Sequence, residues 1–132
     1  MAAIPAAFHD LFEKSTIAHV TAISPKGRPH ATPVWIDYDV EDDRLLINTE
    51  RGRRKERYVA KNPSVAVSMV DPENPYRYLS VTGEVEDVTT EGAREHIDTL
   101  AKRYMGKDEY PSPIQTERVI FRIRPEEVLT RD

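Results

Sequence analysis

Residues Leu45–Asp71 read LLINTERGRRKERYVAKNPSVAVSMVD, and the stretch changes character twice. Leu45 to Asn48 closes an apolar, strand-like run. Five of the nine residues from Thr49 to Arg57 are then basic. GRRKERYVAK is built from good helix formers, and Asn62-Pro63 stops it, so a short helix is predicted there. NPSVAVSMVD follows as a strand opened by a turn. Strand, basic helix, strand is the unit around which the rest of the chain must be arranged.

Working outward, Pro5 with Phe8, Leu11 and Phe12 spaces apolar residues three and four apart, a short amphipathic helix. STIAHVTAI is rich in β-branched residues and predicts a strand, and SPKGR supplies a turn. PHATPVWIDYDV alternates as its returning partner, with Pro29 and Pro33 marking an edge or irregular strand. EDDR turns the chain into the strand at Leu45. On the other side, PENP is a turn and YRYLSVTGEVEDVT a long alternating strand, where Gly83 implies a bulge or a close backbone approach. Thr90 is the predicted N-cap of a helix carrying Ala93, Ile97, Leu100, Ala101 and Tyr104 on one face. MGKDEYPSPIQTE is a loop, and RVIFRIRP a last strand turning Val119, Phe121 and Ile123 to one side. Six strands joined mostly by hairpin-length turns predict a mainly β (α+β) fold, a six-stranded antiparallel barrel with helices outside it.

At 132 residues the simplest organisation is one domain over 1–132. The formal net charge is −4 and charged residues make up 32 % of the chain, which disfavours generic binding to nucleic acid or an anionic membrane. No apolar run approaches the roughly 20 residues of a membrane span. The N-terminus lacks a secretory pattern and there is no cysteine, so a cytoplasmic protein without disulfides or thiolate metal sites is expected.

The basic segment is the main functional signal. Helix N-termini carry about half a positive charge, and an exposed cation there costs roughly 0.3–1 kcal/mol. Arg53, Arg54 and Lys55 share the first turn with a single acid, Glu56, and Arg57 follows. One reading is a solvated helix whose arginines pair with Glu50 and Glu56. The other is a bound anion, most often phosphate, held by free backbone N–H groups and convergent cations, with Thr49 adding a hydroxyl. No G-x-x-x-x-G-K-[ST], G-x-G-x-x-G or G-x-S-x-G pattern occurs. His9, His19, His30 and His96 lack ligand spacing, so no metal site is expected. His19 reads as a structural strand residue, His9 and His96 as surface helix residues, and His30 as one that could approach a substrate. The pairs Asp42/Asp43 and Glu126/Glu127 read as solvated turns. Trp35, Tyr38, Tyr76 and Tyr78 suit either a core or a cofactor-facing role.

Three stretches, HVTAISPKGRPHATPVWIDYD, LLINTERGRRKERYVAKNPSVAVSMVD and YRYLSVTGEVEDV, occur in an order and spacing that resembles the pyridoxamine 5′-phosphate oxidase-like family of flavin and deazaflavin split barrels, most closely its short members that use coenzyme F420. The resemblance implies a homodimer with two cofactors in clefts between subunits. It implies that Pro33, Val34 and Trp35 lie along the cofactor ring, that Thr49, Arg53, Lys55 and Arg57 hold the phosphate, and that Tyr76 and Tyr78 close the cleft from the partner chain. Arg51, Arg54 and Lys61 are further cations for the acidic tail of the deazaflavin. Hydride transfer between reduced coenzyme F420 and a small conjugated substrate is the implied activity. An FMN oxidase or flavin reductase, or a binder of either cofactor without turnover, are the alternatives. No catalytic acid or base is singled out. The chain stops soon after the last strand, without the extended C-terminal segment of true pyridoxamine-phosphate oxidases.

Overall fold

The computed structural model describes residues 2–132. A 3₁₀ helix, Ala6–Phe12, precedes β1 (Ile17–Ile23), β2 (Pro29–Trp35), β3 (Asp37–Asp39) and β4 (Arg44–Glu50). Then come α1 (Arg54–Lys61), β5 (Ser64–Asp71), β6 (Asn74–Thr89), α2 (Ala93–Met105) and β7 (Arg118–Arg131). All pairings are antiparallel, in the order β2-β1-β5-β6-β7-β4-β3. β2 and β3 lie at opposite ends of that order, yet only Ile36 separates them in the chain. A flat sheet cannot satisfy this. The sheet therefore curls until its two ends meet, leaving a split where β2 passes β4 without a ladder between them.

Seven strands stand where six are expected, because the predicted second strand breaks at Ile36. The Tyr104 hydroxyl accepts the Ile36 N–H at 3.0 Å and donates to the Thr16 carbonyl at 2.6 Å. A side chain from α2 thus takes the place of a strand neighbour, and the chain crosses from the β1 edge to the β4 edge. Inward residues of the strands fill the barrel: Val20, Leu45, Ile47, Val67, Leu79, Phe121 and Ile123 are each at most 1 % exposed. Their alternation with exposed neighbours is what the period of two requires.

Three smaller expectations also change. β7 runs on to Arg131, so Glu126 and Glu127 lie in a strand rather than a turn. This extension pairs with β6 through a bulge at Gly83, where an added Cβ would stand 2.2 Å from the Arg124 carbonyl oxygen. The N-cap of α2 is Gly92 in the left-handed region, φ 72°, and not Thr90, which contributes its carbonyl to the Ala93 N–H. The buried face of α2 is the predicted one, Ala93, Ile97, Leu100 and Ala101. Among the described residues no helix is long and apolar enough to cross a membrane.

Candidate functional site

A cleft of about 540 Å³ opens at the split. One wall is β2, with Pro33, Val34 and Trp35; another is the end of β4, with Asn48 and Thr49; Arg53 and Lys55 come from the start of α1. Ile97, Tyr110 and Arg118 complete the lining. Against it lies a second cleft, of about 630 Å³, which shares Arg53 and Lys55 and adds His30, Thr32, Arg54 and Tyr58. Neither lining contains an aspartate or glutamate. In a chain with 23 acidic residues against 19 basic ones, that sorting is local and specific.

Local structure explains why the charges gather there. Gly52, at φ 93°, turns the chain out of β4, and α1 begins with no side chain capping its N-terminus. Glu56 reaches back to accept the Gly52 N–H at 2.9 Å, so the one acid of the first turn is occupied. Glu50 is the nearest other carboxylate. One of its oxygens accepts the N–H groups of Gln115 and Thr116 at 2.5 and 2.6 Å, and the other lies 3.5 Å from Arg53. The Thr116 N–H is the main reason its carboxyl sits below the usual range. Glu50 is thus engaged in tying the 106–117 loop to β4. Tyr110 of the same loop, its N–H donated to Asp98 Oδ1 at 2.8 Å, lines the cleft.

The cations left over carry an electrostatic penalty. Burial is the first cause of a lowered Lys55 pKa, and the neighbouring Arg53 and Arg118 add to it. Arg118 is likewise held below its ordinary value, chiefly by burial. The Oγ1 atoms of Thr49 and Thr32 and Nη1 of Arg118 are buried without a hydrogen-bond partner. Unmade hydrogen bonds of this kind cost about 1–3 kcal/mol each. One anionic ligand with several acceptor oxygens would relieve these costs together.

The aromatic wall is fixed. Trp35 stacks on Tyr104, centroids 5.1 Å apart and planes within 10°, and meets Tyr110 edge-on at 6.1 Å. Trp35 is therefore both a packed residue and a lining one.

Six of the residues expected at the site, Pro33, Val34, Trp35, Thr49, Arg53 and Lys55, come together in one cleft. Arg57 does not; it lies exposed on α1 outside both linings. Tyr76 and Tyr78 are on β6, 76 % and 38 % exposed, and line neither cleft. Arg54 enters the second cleft, whereas Arg51 is drawn to Glu117 at 2.6 Å and Lys61 stands exposed in the last turn of α1. His30 lies beside Arg54 at 2.5 Å. His96 is not a surface residue: Asn48 Nδ2 lies 3.1 Å from its Nδ1, and its Nε2 lies 2.9 Å from Asp37. Asn48, Ile97, Tyr110 and Arg118 went unread in the sequence. Only Ile97 had a detectable signal, as part of the helical stripe.

Comparison with known proteins bears on this geometry. Residues 4–132 match the family model described as pyridoxamine 5′-phosphate oxidase. A solved structure named as an F420 reductase is 32 % identical, with a TM-score of 0.83 over 96 % of this chain and 98 % of its own. A conserved hypothetical protein from Mycobacterium tuberculosis is 20 % identical, with a TM-score of 0.75 over 100 % of this chain and 86 % of its own. A putative pyridoxamine 5′-phosphate oxidase from Listeria innocua is 19 % identical, with a TM-score of 0.67 over 94 % and 92 %. The last two share the fold. No curated protein sequence matches the chain.

Proposed function

Because the chain belongs to the pyridoxamine 5′-phosphate oxidase family, we propose that it is an oxidoreductase using coenzyme F420 to transfer hydride to or from a small conjugated organic substrate. The observation that carries this is the acid-free cleft in which Thr49, Arg53 and Lys55 meet the strand Pro33–Trp35. Its unpartnered donors and depressed lysine fit a ligand with a phosphate beside a flat ring system. The second cleft, with Arg54 and His30 and again no acid, suits the glutamate tail that distinguishes the deazaflavin from FMN. The 32 % identity to a protein named as an F420 reductase supports the same choice.

When bound, the deazaflavin supplies the hydride chemistry itself. The residues of this chain do the binding and orienting. Arg53 and Lys55 hold the phosphate by charge, and the α1 N-terminus adds its dipole. Trp35, held by Tyr104, presents a rigid aromatic edge along which a ring can lie, and orientation of that kind is the protein's main contribution to such a transfer. Tyr110 shields the cleft from water.

The active form in this reading is a homodimer. β1 and β5 turn Ile17, His19, Ser64, Ser68 and Val70 outward, exposed and without a single formal charge. Val70 pairs with Tyr78 on β6, so the uncharged face continues to the exposed tyrosines. Pro33 and Trp35 of the cleft pair with His19 and Ile17 of the same face. A second copy seated there would place its own Tyr76 and Tyr78 near this protomer's cleft.

Titrating the purified, cofactor-free protein with coenzyme F420 and with FMN side by side tests the proposal. Tight binding of coenzyme F420 with weaker binding of FMN is expected, together with sedimentation at twice the protomer mass. A yellow protein that releases FMN on denaturation would contradict it.

A further inference from the structure

We propose that Arg118 is an anion-binding residue of this cleft and that Asn48 and His96 are the positioning residues that hold its guanidinium in place. The inference rests on the reading of the cleft as a cofactor site and adds a residue from the far end of the chain to it. Arg118 opens β7, opposite Glu50 in the β4–β7 register, and is 6 % exposed. Arginine is rarely that buried without a partner charge. Yet among the described residues no carboxylate lies within ion-pair distance of it.

What holds it is neutral and directional. Nε donates to Asn48 Oδ1 at 2.8 Å, and the guanidinium carbon lies 5.0 Å from the centre of the Tyr110 ring. Nη1 is buried and donates to nothing. The Asn48 amide cannot turn over, because its Nδ2 donates at 2.8 Å to the Ala93 carbonyl, which only accepts. Nδ2 also donates to Nδ1 of His96 at 3.1 Å, so the His96 proton sits on Nε2 and is donated to Asp37 Oδ2 at 2.9 Å. The other Asp37 oxygen accepts from Arg103 at 3.1 Å. Each link fixes the next, from an ion pair at α2 to the floor of the cleft.

The result is a planar fork in the cleft wall with one donor satisfied and another, Nη1, left without a partner. Such a group recognises an oxyanion with two or more acceptor oxygens, phosphate foremost, since Arg53 and Lys55 already share the same cleft. An ordinary structural arginine would be paired with a carboxylate or solvated. This one is neither.

The test follows the Arg118 Nε–Hε cross-peak by NMR, assigned with Arg118→Lys, while inorganic phosphate or acetate is added to the whole protein. Affinities for coenzyme F420 and FMN are measured alongside. A phosphate-dependent shift, much smaller with acetate, is expected. Arg118→Met should weaken cofactor binding by about ten- to a hundredfold, and Arg118→Lys by less. His96→Leu should weaken it about fivefold, and His96→Gln, which keeps one acceptor and one donor, should restore it. A cross-peak indifferent to phosphate, with Arg118→Lys binding as wild type, overturns the role of Arg118. His96→Leu that lowers only the melting temperature overturns the positioning role. Failure of the wild type to bind either cofactor would remove the proposed function, while the phosphate titration would still decide the case of Arg118.

Discussion

Two basic clusters in this molecule share a composition but not a fate. At the β5–β6 turn, Arg77 meets Asp10 at 2.9 Å and Asp71 at 2.8 Å, donates to the Ala7 carbonyl and covers the Phe8 ring. Lys14 meets Asp71 at 3.1 Å and Asp10 at 3.3 Å. The hydrogen bonds that Arg77 donates to the two aspartates raise its pKa above its ordinary value. At the split, Arg53 has one carboxylate at 3.5 Å, and Lys55 and Arg118 are pushed down first by burial, with Arg53 lowering both and Arg118 adding to the effect on Lys55. The first cluster is complete as it stands and pins the N-terminal 3₁₀ helix to the sheet. The second, in the proposed reading, is completed by the cofactor's phosphate. The shifts run in opposite directions because Arg77 is hydrogen-bonded to carboxylates, whereas Lys55 and Arg118 are buried with no carboxylate within ion-pair distance among the described residues.

The comparison breaks most sharply at Lys55. Lys55→Glu should weaken coenzyme F420 binding by at least about a hundredfold in a fluorescence titration, with an unchanged melting temperature. Arg77→Ala should do the reverse, lowering the melting temperature by roughly 5–10 °C and leaving cofactor affinity alone. A Lys55 variant that unfolds, or an Arg77 variant that binds poorly, would show that the two clusters do not divide the work in this way.

Acid sharpens the structural side. The Asp71 carboxyl is lowered to about 2 by the Glu73 N–H and by Arg77, from an ordinary 3.8. Its contribution is therefore present above pH 3.8 and is lost as pH falls from there toward about 2. Denaturation followed by circular dichroism should show this loss, and Asp71→Asn should flatten it. The smallest effect is expected on the ligand side. A bound anion raises the Lys55 pKa back toward 10.5, so binding takes up a proton above the depressed value. Cofactor affinity should fall as pH rises through the alkaline range, and Lys55→Met should abolish that slope.

The outline of the barrel was legible because its strands alternate and its turns carry Pro, Gly and Asn-Pro. The break at Ile36 was not, since the hydroxyl that causes it comes from Tyr104, 68 residues away. The start of α1 announced itself by putting cations where a helix dipole disfavours them. Arg118 gave no such sign: a strand beginning with arginine is ordinary until the β4–β7 register sets it across from Glu50 and near Asn48. His96 looked like a surface helix residue for the same reason, because Asp37 and Asn48 reach it only through the closed sheet. Local pattern shows in a sequence; which distant partner completes a polar group does not.

Crystallisation with coenzyme F420 tests the central claim most directly. The account predicts phosphate oxygens within hydrogen-bond distance of Lys55 Nζ, with Arg53 turned toward them and the ring along Pro33–Trp35. A cofactor bound elsewhere, with Lys55 and Arg53 still facing no anion, would contradict it.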